Sequence, residues 1–308
     1  MRRLANLSRA KALAALAAAA LTGCTMGSEA PVPPGSGADG LMAWPDLTGR
    51  PRPAPDATIR YGGDSMQVVD LWLPPGRGPH PVVLMVHGGC WQTEIADRRL
   101  MDWAAADLRG RGIAVWNIDY RGVDRDGGGY PGTFLDVAAA ADALRTHAAA
   151  HRLNLSRLVA VGHSAGGHLA LWLAARPKLP AGSPLRTPSP LPIRAVVSLG
   201  GLPDLEEAAR PPGSGCGTEV IARISGGRFE ETSVPRLAPL GVRQVLVNGL
   251  QDRIIPTAYA EGYAGAMRAA GDRVRVRMVE GTGHVELISP GSAAWAAAVE
   301  EIERALRR

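Results

Sequence analysis

Leu84 to Thr93 read LMVHGGCWQT, a histidine and a cysteine three positions apart with two glycines between them, directly after an apolar run that ends at Val86. Two chemistries fit this spacing. Either Cys90 is a thiol nucleophile served by His87, or the segment is a glycine-rich loop whose backbone does the work while another residue attacks. A second stretch, Gly162-His163-Ser164-Ala165-Gly166, has the form G-x-S-x-G and lies between a β-branched run and an alanine-rich helical pattern. A sharp strand-to-helix turn there forces the serine into a strained backbone state, which the flanking glycines make sterically possible. It also presents the hydroxyl at the carboxyl edge of a sheet.

A serine hydroxyl is a poor nucleophile at neutral pH. It needs a base, and the base needs a carboxylate that orients it and steadies the imidazolium. In a strand–turn–helix setting of this kind the chain order is Ser, then acid, then His. Asp252, in NGLQDRIIP, follows the apolar run 243–249, and His284, in EGTGHVEL, follows the last β-type run. Loop aspartates alone are turn formers and loop histidines alone are solvated. In order, and each at a strand end, the two complete a Ser164, His284, Asp252 triad. Asp204, in the sequence PDL, is the other candidate acid, although that setting is also a plain helix-capping signal. His163 and His168 flank the serine without standing where a base must stand, and His163 is read as pocket lining or as structural.

These residues need a scaffold, and the chain supplies an alternating one. The runs 81–87, 113–119, 157–163, 194–200, 243–249 and 273–280 are candidate strands, and the near-continuous apolar content of the middle four suits strands buried on both faces of a parallel sheet. Helical patterns occupy Arg98 to Arg109, Thr133 to His151, Gly166 to Ala175, Thr257 to Ala270 and about Ser292 to Arg307. The pattern predicts one α/β domain, opened by an antiparallel hairpin around Thr58 to Leu73. Between the strands at 194–200 and 243–249 the chain makes a long excursion, and residues 201–235 are expected to form a lid or pocket wall.

Residues 1–23 carry Arg2, Arg3, Arg9 and Lys11, then a short alanine-rich apolar stretch, then small residues. This is the layout of an export signal, too short for a stable membrane span. It ends in Leu21-Thr22-Gly23-Cys24, which resembles the lipobox of bacterial lipoproteins, where the cysteine becomes the lipidated first residue. Thr25 follows that cysteine where an aspartate would signal inner-membrane retention, which points to the outer membrane. The formal charge of +5 suggests an anionic partner, but loss of the four basic residues leaves 30 basic against 29 acidic ones. The expectation of nucleic-acid binding loses its support. Residues 24–55, rich in Pro, Gly and Ser, read as a tether, and the catalytic domain as 56–308.

From about residue 58 to 308 the chain resembles the α/β-hydrolase family. The pairing of HGGCW with GHSAGGHLAL is similar to the esterase, lipase and kynurenine formamidase branch, and NGLQDRIIP and GTGH are similar to its acid and histidine segments. The resemblance implies a mostly parallel central sheet with helices on both faces and a short lid insertion. It implies an acyl-enzyme mechanism in which Ser164 attacks a carbonyl, His284 shuttles the proton and Asp252 holds His284. No metal and no organic cofactor is implied. In the resembling enzymes the HGGxW loop points backbone amides at the developing oxyanion, so the amides of Gly89 and Cys90, with that of Ala165, would form the hole. His87 would brace that loop by hydrogen bonding, and Trp91 would be either a pocket wall or core.

Three cysteines are present. With Cys24 consumed by lipidation, Cys90 and Cys216 are an even pair in an exported, oxidising compartment, which favours a disulfide over two separate buried thiols. The sequence therefore predicts a lipid-anchored serine hydrolase of the bacterial cell envelope acting on small-molecule carboxylic esters. Arylformamide or peptide hydrolysis is the alternative chemistry, and a noncatalytic surface lipoprotein is the alternative of another class.

Overall fold

The computed structural model describes residues 40–211 and 214–307. The expected signal segment, Cys24 and the first part of the expected tether lie outside the described residues.

Eight strands form one sheet: β1 (Ala57–Arg60), β2 (Val68–Trp72), β3 (His80–Val86), β4 (Ala114–Ile118), β5 (Leu153–His163), β6 (Ala195–Leu199), β7 (Arg243–Gly249) and β8 (Val274–Val279). Their order is β1-β2-β4-β3-β5-β6-β7-β8. The hairpin β1–β2 pairs antiparallel at one edge, from Ala57 opposite Leu71 to Arg60 opposite Val68. β2 meets β4 antiparallel, and every later pairing is parallel. The architecture is that of the α/β-hydrolase fold, with helices on both faces.

Side chains alternate across a strand, so a strand buried on both sides feeds two cores. In β3, Val82, Leu84 and Val86 enter one core with Trp116 and Phe134, while Val83 and Met85 enter the other with Val161 and Trp295. The first short helix, α1 (Trp44–Thr48), precedes the sheet. Helix α2 (Asp102–Gly110) covers the second core together with the C-terminal helix Ala293–Leu306. Helices α3 (Gly132–Ala148) and α4 (Ala165–Ala175) cover the first.

The excursion after β6 does not run free. It folds into α5 (Leu205–Ala209), α6 (Thr218–Ser225) and α7 (Phe229–Thr232), and Leu205, Ile221 and Ile224 are fully buried in the first core. The last two helices are α8 (Ala258–Ala269) and α9 (Ala293–Leu306).

The segment 40–55 departs from the tether expected of its composition. Leu47 in α1 is fully buried in the second core. The indole N–H of Trp103 donates to the Pro51 carbonyl at 3.1 Å, Arg50 donates to that of Pro290 at 3.1 Å, and Arg109 pairs with Asp56 at 3.2 Å. A Pro-rich chain has few internal bonds to lose, and these distant partners fix it as a strap across the domain. Its Arg52 lies 3.9 Å from Asp102 at the start of α2.

Two outcomes follow for the strap and its seat. Leu47→Ala should cost about 2–5 kcal/mol of unfolding free energy, read from urea titration, since it empties a closed site. Burial, with the Asp70 charge next, pushes the Asp102 carboxyl from 3.8 up to about 7. A carboxyl raised in the folded state contributes stability that is present below its unfolded value and is lost as pH rises through about 7. Asp102→Asn should therefore flatten the pH dependence of stability across that window, gaining on the wild type above neutrality and not near pH 4.

Candidate active site

Four strand ends carry the predicted residues to one edge of the sheet. Ser164 follows β5, Gly89 and Cys90 follow β3, Asp252 follows β7 and His284 follows β8. In parallel sheets this carboxyl edge is where ligands bind.

Ser164 has φ 55° and ψ −123°, a conformation costly for a residue with a Cβ, and sits immediately before α4. The flanking glycines are sterically required. A Cβ on Gly162 would stand 1.9 Å from the Gly166 carbonyl oxygen, and one on Gly166 would stand 2.2 Å from that of Val86. Ser164 holds its turn through its own amide, which donates to the Leu199 carbonyl at 2.8 Å.

Nδ1 of His284 lies 2.6 Å from Oδ2 of Asp252, with both side chains buried. The other Asp252 oxygen accepts the amides of Ile254 and Ile255, each at 2.9 Å. A carboxylate anchored this way fixes the imidazole tautomer. Nδ1 carries the proton donated to Asp252, and Nε2 is left to accept one. The histidine loop is pinned by Glu286, a residue the sequence reading did not single out. Its carboxylate accepts the Gly283 amide at 3.0 Å and the Met42 amide of the strap at 2.6 Å.

The loop after β3 approaches the serine turn so closely that a Cβ on Gly88 would lie 2.9 Å from the Ser164 Cβ. Among the described residues, the amides of Gly89, Cys90 and Ala165 donate to no protein acceptor. His87 is buried, with Nε2 3.0 Å from Asp119 and Nδ1 2.7 Å from the Gly88 carbonyl. Its ring stacks on Tyr120 at 4.3 Å, and the Tyr120 hydroxyl donates to the His87 carbonyl at 3.0 Å. Arg98 joins Asp119 to Asp70, at 2.9 and 2.7 Å. His87 is thus committed to a structural network, away from any thiol. Cys90 is bonded to Cys216, which ties the loop to the excursion.

Ser164, His284 and His163 share a pocket of about 240 Å³ with Gly89 and Cys90. Ile95, Ala96, Leu100 and Ile254 supply apolar walls, and Trp44 and Thr48 of the strap supply another. Neither strap residue was expected here. No described residue of 201–235 lines the pocket, so the excursion acts on the site through the disulfide and its packing rather than as a wall. Trp91 is not a pocket wall either. It is fully buried in the first core, edge-on to His168 at 5.5 Å.

His163 does line the pocket. Its Nε2 donates to the His284 carbonyl at 3.1 Å, and burial, followed by the neighbouring His284, holds the ring well below the usual histidine range. His168 donates to the Thr232 carbonyl at 2.8 Å, and burial lowers it to about 4. Both are neutral packing groups at physiological pH. Asp204 caps α5, accepting the amides of Glu206 and Glu207 and the hydroxyl of Ser233, which leaves it no part in the triad geometry.

Residues 69–230 match the BD-FAE family, a span that carries both the HGGCW loop and the serine turn. The chain belongs to that family. BD-FAE proteins are esterase-type α/β hydrolases, and the two segments outside the matched span, with Asp252 and His284, return to the same sheet edge. A curated relative, a probable isoprenylcysteine alpha-carbonyl methylesterase of Oryza sativa subsp. japonica, is 26% identical over 254 residues, covering 75% of this chain. The match spans 58% of that relative's length. Among solved structures, an esterase from Thermogutta terrifontis, Est2, superposes with a TM-score of 0.66 at 22% identity, covering 83% of this chain and 94% of that one. Esterase B from Lactobacillus rhamnosis gives 0.68 at 16% identity, covering 83% and 89%. A truncated carbohydrate esterase from gut microbiota gives 0.65 at 19%, covering 84% and 100%. At these identities the structures establish a shared fold.

The covalent tie between the β3 loop and α6's approach closes a span of 126 residues. Cys216→Ser should lower the unfolding free energy by about 2–5 kcal/mol in a denaturant titration. An unchanged midpoint would mean that packing alone holds the two segments together.

Proposed function

We propose that this BD-FAE family member is a serine hydrolase that cleaves carboxylic esters of small molecules through an acyl-enzyme. One observation carries the reading: Ser164, in a strained turn, shares an apolar pocket with a histidine whose Nδ1 is held 2.6 Å from a buried aspartate. Ser164 Oγ attacks the ester carbonyl carbon while His284 Nε2 takes its proton. The negative charge that gathers on the carbonyl oxygen is received by the amides of Gly89, Cys90 and Ala165. His284 then returns the proton to the departing alkoxide, and the alcohol leaves. A water, deprotonated by His284, attacks the acyl-serine, and the carboxylic acid is released as Ser164 regains its proton.

Preorganised amides of this kind contribute about 2.7–4 kcal/mol each to the chemical step. The pocket sets the acyl class. At about 240 Å³ it is small, and among the described residues no acidic, lysine or arginine side chain lines it, so a neutral, short acyl group fits. Structures of the fold neighbour Est2 with butyrate and with propionate bound, and of the same esterase phosphonylated by sarin, are consistent with this assignment.

Export and lipidation at Cys24 belong to the same proposal. The bond between Cys90 and Cys216 supports them, since structural disulfides persist in oxidising compartments. Among the described residues no helix is long and apolar enough to cross a membrane. A lipid at Cys24 would place the hydrolase at the envelope surface without a spanning segment.

A fluorophosphonate probe tests the nucleophile. The folded wild type should be labelled, Ser164→Ala should lose the label, and Cys90→Ala should keep a measurable rate. A folded wild type that stays unlabelled would remove the serine hydrolase assignment and favour a binding module. A panel of p-nitrophenyl esters, N-formylkynurenine and aminoacyl anilides then separates ester from amide chemistry.

A further inference from the structure

We infer that the N-terminal strap sets the acyl-chain selectivity of the site, with Trp44 as the determining residue. The inference rests on the reading of Ser164 as the nucleophile and concerns what the acyl group meets beyond it.

Trp44 is held in place from both ends of its short helix. On one side the Met42 amide donates to Glu286 at 2.6 Å, and on the other Leu47 is locked in the core. The indole stands edge-on to His163 and to His284, with ring centroids 6.1 and 6.2 Å away and interplanar angles of 78° and 85°. Thr48, one turn further on, faces the same pocket, as an i, i+4 pair must. The strap therefore presents two side chains to the space in front of Ser164.

Behind the indole lies a second space. A pocket of about 350 Å³, mainly apolar in its exposed surface, is lined by Leu41, Met42, Pro45, Val285, Gln251 and Arg253, and it shares Trp44, Ile254 and His284 with the pocket that holds Ser164. One side chain of the strap thus stands in the wall common to two apolar cavities. While the indole is there, an acyl chain on Ser164 ends in the first cavity. With the indole gone, the first cavity opens into the second, and a longer alkyl chain has an apolar place to lie. The divider comes from a segment outside the span matched to the family.

The test uses the full chain with p-nitrophenyl acetate, butyrate and octanoate, and reads the ratio of kcat/KM for octanoate to that for acetate. Trp44→Ala should raise this ratio at least tenfold, while Trp44→Phe, which keeps a ring in the wall, should not. Acetate ends in the first cavity whether or not the indole is there, so the ratio cancels any loss at His284 or in that cavity, which lowers both rates together. A ratio in folded Trp44→Ala equal to that of the wild type overturns the inference. If Trp44→Ala does not fold, Thr48→Phe reads the wall from the other direction: a lowered ratio supports the inference and an unchanged one overturns it. Fluorophosphonate labelling keeps the two readings apart. An unlabelled, inactive wild type fails the serine hydrolase reading itself, whereas a labelled wild type whose chain-length profile passes unaltered to the variants sinks only the role of the strap.

Discussion

The site depends on the contact between two stretches of backbone, the turn at 162–166 and the chain leaving β3. Neither tolerates a side chain where they meet. A Cβ on Gly166 would strike the Val86 and His87 carbonyls at 2.2 and 2.4 Å, and one on Gly88 would strike His163 and Ser164 at 2.9 Å. That closeness brings Gly89 and Cys90, whose amides have no acceptor among the described residues, into one pocket with Ser164. It also accounts for the density of support beneath the loop, where buried His87, Asp119 and Asp70 are linked through the half-buried Arg98 in a continuous chain of hydrogen bonds. Backbone that must sit within van der Waals distance of other backbone has no room to adjust, so its neighbours must hold it still.

The histidine is held by a different logic. Its loop contains glycines and would be mobile by itself, but Glu286 ties Gly283 to Met42 and thereby to the strap. The segment that walls the pocket and the segment that orients the imidazole are joined through a single buried carboxylate. A change in the strap is therefore felt at His284 as well as in the pocket, and the edge contacts of Trp44 with both His163 and His284 point to the same coupling.

Much of this was legible in the sequence because it is encoded by local spacing. The glycines around Ser164, the chain order of Ser164, Asp252 and His284, and the alternation of strand and helix patterns each follow from short-range sterics or from topology. The pairing of Cys90 with Cys216 followed from counting thiols against compartment. The strap was not legible. Five helical residues with one buried anchor carry no periodicity, and the bonds that order the Pro-rich chain reach partners such as Pro290 and Glu286, more than two hundred residues away. The excursion was misplaced for a related reason. Its length marks it as more than a connection, but only tertiary packing decides whether its apolar residues enter the core or roof a pocket, and Leu205, Ile221 and Ile224 enter the core.

The cysteine in HGGCW shows how one residue can serve the site twice without reacting. Cys90 and Trp91 both have positive φ, 50° and 53°, a pair of strained non-glycine residues in succession. Such a state costs about 1–3 kcal/mol per residue and persists only where the surroundings over-determine it. Here three ties do so: the Trp91 side chain is fully buried, its carbonyl accepts the Val123 amide at 2.7 Å, and the Cys90 sulfur is bonded to Cys216. Donors fixed before the substrate arrives need no reorganisation when charge develops, which is the condition under which backbone amides stabilise an oxyanion strongly. In this reading the thiol's contribution is geometric. It spends its reactivity on a bond to the excursion, and that bond holds its own amide, and that of Gly89 beside it, in the direction the chemistry requires.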